Sequence, residues 1–98
     1  MTVSILEVGI DPAGSLYVRP DSATFPMIYR AAMQIGWDES NARLFSPKPI
    51  ELAYVQWFNQ IVAAVFDEYG VKLCLATNTV WTDVPDPLRD EITKCRYR

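Results

Sequence analysis

Apolar residues recur along this chain at two spacings, and each spacing marks a different kind of element. Val3–Ile10 is rich in β-branched residues, and Leu16–Arg19 alternates Leu16 and Val18 with Tyr17 and Arg19. Between them, Asp11-Pro12-Ala13-Gly14 supplies a turn. Asp accepts a local backbone bond, Pro pre-sets φ, and Gly tolerates positive φ. Strand, turn and strand predict an N-terminal β-hairpin. Pro20-Asp21-Ser22 breaks the pattern, and Ser22 or Thr24 caps a predicted helix from Phe25-Pro26 onward. Ile28, Ala31, Ala32 and Ile35 share its apolar face, Arg30 and Gln34 lie opposite, and Gly36 is its stop. Ala42–Phe45, followed by Ser46-Pro47, is a short third strand.

The strongest pattern is a long apolar helix predicted over Pro49–Tyr69, opening at Pro49 and closed by Gly70. Ile50, Tyr54, Trp57, Phe58, Ile61, Val65 and Tyr69 form one broad face. Val55, Val62 and Phe66 add a second stripe beside it. A surface helix normally carries about 100° of apolar arc, and this one carries roughly twice that. The stripe is therefore covered either by another helix of the chain or by a second copy. Val71–Ala76 reads as a strand and Thr79–Asp83 as a further extended segment. A last helix starts at Asp86-Pro87, with acidic residues early and Lys94, Arg96 and Arg98 late, matching the helix dipole. The order is β-β-α-β-α-β-(β)-α. It predicts an α+β two-layer sandwich, a mainly antiparallel sheet of 3–5 strands with about three helices.

Composition narrows the function. The 98 residues fit a single globular domain, 1–98. Nine basic residues against twelve acidic ones give a net charge of −3, which argues against nucleic acid or an anionic membrane as partner. No apolar run approaches the 18 or so residues of a membrane span, and the N-terminus lacks the basic and apolar regions of a signal peptide. Cys74 and Cys95 make no disulfide framework, so a cytoplasmic protein with free thiols is expected.

The chain has no histidine, which removes the usual general base and the commonest metal ligand. No glycine-rich phosphate loop is present, and no cofactor or metal is expected. Asp83, Asp86, Asp90 and Glu91 offer carboxylates, although capping and solvation of a helix start explain them as well. Trp37 and Trp81, with Asp83, are candidates for a pocket that takes a small cationic or aromatic ligand. Core packing is the competing role for both rings. Cys74, between Leu73 and Leu75, reads as a buried small hydrophobe.

The segments Leu6-Glu7-Val8-Gly9-Ile10-Asp11, Gly14-Ser15-Leu16-Tyr17-Val18-Arg19-Pro20 and Ser46-Pro47-Lys48-Pro49, with Trp57, resemble small uncharacterised bacterial proteins encoded on integron gene cassettes. The resemblance implies a compact, often oligomeric α+β domain and transfers no site residue. The leading expectation is a non-enzymatic interaction or small-ligand-binding module that acts as a homo-oligomer, a dimer joined through Val55, Val62 and Phe66. Two alternatives stay open: an acidic antitoxin or immunity-type partner of a basic protein, and a small histidine-free enzyme using carboxylates or tyrosine.

Overall fold

The computed structural model describes residues 2–47 and 53–94. Its elements are β1 (Thr2–Ile10), β2 (Leu16–Pro20), β3 (Gly36–Asp38), β4 (Arg43–Phe45), α1 (Tyr54–Tyr69), β5 (Lys72–Thr82) and α2 (Asp86–Lys94). One sheet runs in the order β3-β4-β2-β1-β5. Every pairing is antiparallel except that of β1 with β5, which is parallel. The α+β two-layer arrangement is as expected, with a mixed sheet and, among the described residues, two helices.

The third expected helix is absent. Between Phe25 and Gly36 the chain makes only a 3-10 turn at Ile28–Arg30. The Met27 N–H donates to the Tyr69 hydroxyl at 2.8 Å, and the N–H groups of Ala31 and Ala32 share the Ile28 carbonyl. Phe25, Ile28 and Ile35 all sink into the core. An irregular segment can bury three apolar anchors as well as a helix can, so tertiary packing overrides the periodicity. Gly36, expected as a helix stop, begins β3 instead. A Cβ there would lie 2.5 Å from Cζ of Phe45, whose ring covers it from the neighbouring strand.

The long helix starts at Tyr54, because Ala53 is extended at φ −72°, ψ 163°. The expected first turn at Pro49 lies outside the described residues. The Ala53 N–H donates to the Gln56 side chain at 2.7 Å, satisfying one of the donors left open at a helix start. Gly70, at φ 66°, closes the helix as expected. Phe58, Ile61 and Val65 point into the core, with Val3, Ile5, Val8, Leu16, Val18, Leu44 and Leu73 from the sheet and Ile92 from α2. Each such side chain contributes roughly 1.5–3 kcal/mol by burial.

One irregularity shapes the sheet. Ile5 pairs with Pro20 and Glu7 with Arg19, so Leu6 is an extra residue in β1. This bulge changes the parity of the strand, keeping Val3 and Ile5 before it, and Val8 after it, all on the core face. On the other side, Ile5 pairs with Leu75 and Glu7 with Val80. Ala76–Thr79 therefore bulge outward opposite Leu6 alone. The Thr79 hydroxyl pins this bulge, accepting from the Ala76 N–H at 2.8 Å and donating to the Ile5 carbonyl at 2.7 Å. The two extended segments expected at Val71–Ala76 and Thr79–Asp83 are thus one strand, interrupted by the bulge.

Candidate functional site: the uncovered sheet face and its corner pocket

Side chains alternate across a sheet, so the register sorts the strand residues into two faces. Trp37, Leu44, Val18, Val8 and Trp81 are cross-strand neighbours and lie on the core side. Gly36, Phe45, Tyr17, Gly9 and Thr82 form the next row, on the opposite side. Glu7, Arg19, Arg43 and Asp38 follow on that same side, with Val80, Cys74 and Lys72 from β5. Among the described residues, no helix covers this second face.

Its centre is a charged network. The Tyr17 hydroxyl donates to Glu7 Oε2 at 2.8 Å, and Thr82 donates to the same oxygen. Arg19 pairs with Glu7 Oε1 at 3.5 Å. The Arg43 guanidinium sits 3.9 Å above the Tyr17 ring and pairs with Asp38 at 3.8 Å. Tyr17 reaches Glu7 because its ring lies flat over Gly9, where a Cβ would come within 2.4 Å of the ring carbon Cζ.

Burial opposes the charge of Glu7. The hydrogen bonds from Thr82 and Tyr17 and the nearby Arg19 and Arg43 outweigh it and hold the carboxyl below its ordinary value. Burial, with the Glu7 carboxylate beside it, pushes the Tyr17 phenol above its ordinary value. Hydrogen bonds led by that from the Asn41 side chain outweigh a desolvation penalty at Asp38 and, with Arg43, hold its carboxyl low.

At the β3–β4 corner of the sheet lies a concavity of about 460 Å³, lined by Trp37 from the core side, by Asp38, Arg43 and Phe45 from the other, and by Asp11, Ser15 and Glu39. Three carboxylates meet one guanidinium there. Asp11 caps the hairpin turn by accepting from the Ser15 N–H at 2.9 Å. Asp38 organises the β3–β4 turn, accepting from the backbone N–H of Ser40 and from the Asn41 side chain.

The structure separates the residues singled out from the sequence. Trp37 lines this corner pocket and also packs edge-on against Phe25, with 5.9 Å between ring centroids. Trp81 lies on the opposite edge of the sheet. It lines a separate concavity of about 340 Å³ with Leu75, Ala76, Thr77, Arg89 and Thr93, and Arg89 stands 5.3 Å from its ring centroid. Asp83 is exposed at φ 56° and lines neither pocket. Of the second helical stripe, Val62 is 4% exposed, Val55 packs partly against the core, and Phe66 is 52% exposed. Cys74 is a free, half-buried thiol, and Cys95 lies outside the described residues. No three metal-ligating side chains converge among the described residues, and no helix there is long and apolar enough to cross a membrane.

Sequence reasoning missed Glu7, Tyr17, Arg19 and Arg43. The available signal was parity. Val3 and Ile5 occupy odd positions, whereas Val8 and Ile10 occupy even ones, which requires a bulge between them and turns Glu7 away from the core.

A mixed five-stranded sheet with helices on one face and, among the described residues, an open charged face on the other defines a small α+β protein. The chain belongs to the Hfx_Cass5 integron cassette protein family, which it matches over residues 3–79. It is 46% identical to a solved integron cassette protein, Hfx_Cass5, from the mobile metagenome of the North West Arm sewage outfall. That match covers 93% of this chain and 91% of the other, with a TM-score of 0.47. No curated protein matches the chain.

Proposed function

We propose that this protein is a non-enzymatic module that binds a small organic cation at the β3–β4 corner of its sheet. The observation that carries the reading is the composition of the 460 Å³ concavity, where Asp11, Asp38 and Glu39 surround Phe45 and Trp37 with one counter-charge, Arg43. Its volume falls in the usual range for small-molecule sites. Aromatic walls with nearby carboxylates favour a cation over a neutral or anionic ligand. Support for a binding role over a catalytic one comes from how the polar groups are used. Asp11 and Asp38 each hold a turn, and Glu7 and Tyr17 hold each other, so none is poised as a base or nucleophile. The cytoplasm, where Cys74 stays reduced, is the compartment this reading implies.

Titration calorimetry with benzyltrimethylammonium, and with benzoate as the anionic counterpart, tests it. Saturable binding of the cation alone is expected, weakened at least tenfold in Phe45→Leu and Glu39→Gln. Equal binding of both probes, or binding of neither, contradicts the proposal.

A further inference from the structure

We infer that the organic cation bound at the β3–β4 corner also carries a carboxylate, received by Arg43, so that the ligand is a zwitterion. The inference rests on the binding reading above and names the class of ligand for that same concavity. Arg43 is the reason. Its side chain is 20% exposed and lines the concavity. The guanidinium stands 3.9 Å above the Tyr17 ring, which fixes its place without using a donor. Its Nε lies 3.8 Å from Asp38 Oδ2, an ion pair too long for a hydrogen bond. Asp38 is occupied within its own turn, where Oδ1 accepts from the backbone N–H groups of Ser40 and Asn41 and Oδ2 from the Asn41 side chain. Among the described residues, the guanidinium N–H groups therefore meet no hydrogen-bond acceptor. Arginine presents five such donors in a planar fork that matches a carboxylate. A mostly buried fork without an acceptor, on the wall of a cavity, is ready for an anionic group.

Unmatched negative charge stands beside it. Asp11 Oδ1 accepts from the Ser15 N–H, and Glu39 Oε2 accepts a long bond, 3.4 Å, from Trp37 Nε1. Neither carboxylate pairs with a Lys or Arg among the described residues. Asp11 belongs to the turn between β1 and β2 and Glu39 to that between β3 and β4, whereas Arg43 stands on β4. A plain cation leaves the Arg43 fork empty and sets like charges side by side. A plain anion meets two unmatched carboxylates. A molecule with both groups satisfies both sides, its cationic end against Trp37 and Phe45 near Asp11 and Glu39, its carboxylate on Arg43. The volume of about 460 Å³ has room for it.

Titration calorimetry on the full chain compares benzyltrimethylammonium with its 3-carboxy and 4-carboxy derivatives and with their methyl esters. One carboxylated isomer is expected to bind at least tenfold more tightly than the parent cation, as one charge-assisted hydrogen bond provides. The esters, which keep the shape and lose the charge, should bind no better than the parent. Arg43→Gln should erase the difference, weakening the zwitterion and strengthening the plain cation. The esters need no substitution, so they decide the matter if that variant does not fold. Equal affinities for the parent and both carboxylated isomers, a gain shared by the esters, or a gain that survives in folded Arg43→Gln overturns the inference and leaves the cation site standing. Binding of no probe at all overturns both readings.

Discussion

Glu7 is 16% exposed at its side chain, yet it accepts from two hydroxyls and pairs with an arginine. Replacing it by Gln keeps the shape and removes the charge those donors were arranged for, at a cost of about 1–3 kcal/mol. Because its folded pKa lies below the ordinary 4.5, its contribution is complete above that value and is lost as pH falls through the folded one. Urea melts of Glu7→Gln should therefore fall below the unmodified protein at pH 7 and converge with it in acid. Tyr17 works in the opposite sense. Its pKa is raised above 10.0, so its contribution is complete below that value and fades as pH rises through the folded one. Tyr17→Phe should flatten the alkaline loss of stability. Gly9 supplies a third test, because a Cβ there meets the Tyr17 ring at 2.4 Å. Gly9→Ala should cost roughly 1–3 kcal/mol by overpacking, and much of that penalty should vanish in a Tyr17→Ala background, as a double-mutant cycle would read.

Elements show where the sequence was informative. The β1–β2 hairpin, the start of α2 and the Gly70 stop were legible because turn chemistry and caps are local. The end of β1 was less so, since a bulge appears only as a change of parity between Ile5 and Val8. The segment from Phe25 to Ile35 misled for a physical reason. Its apolar spacing is helical, but Met27 donates to Tyr69 at the end of α1, 42 residues along the chain, a contact that no local pattern encodes. The open face was least legible of all. Tyr17, Arg19, Arg43 and Asp38 meet only through strand pairing, and Trp37 and Trp81 are separated by it. Local strain remains at Ala42, which holds φ 53° in the β3–β4 turn. Ala42→Gly should raise stability by about 1 kcal/mol, and thermal melts would measure the gain.

At the scale of the whole molecule, the helices and the Phe25–Ile35 segment cover one side of a five-stranded sheet and, among the described residues, leave the other open. That open side holds the paired charges and exposed Leu6, Phe45 and Val80, and borders the acidic aromatic corner. The most direct test of the account is a ¹⁵N–¹H NMR titration of the full chain with benzyltrimethylammonium. It predicts saturable shifts clustered at Ser15, Asp38, Glu39, Arg43 and Phe45, with the residues around Trp81 unmoved. Shifts centred on Trp81, Arg89 and Thr93, or none at saturating probe, would contradict it.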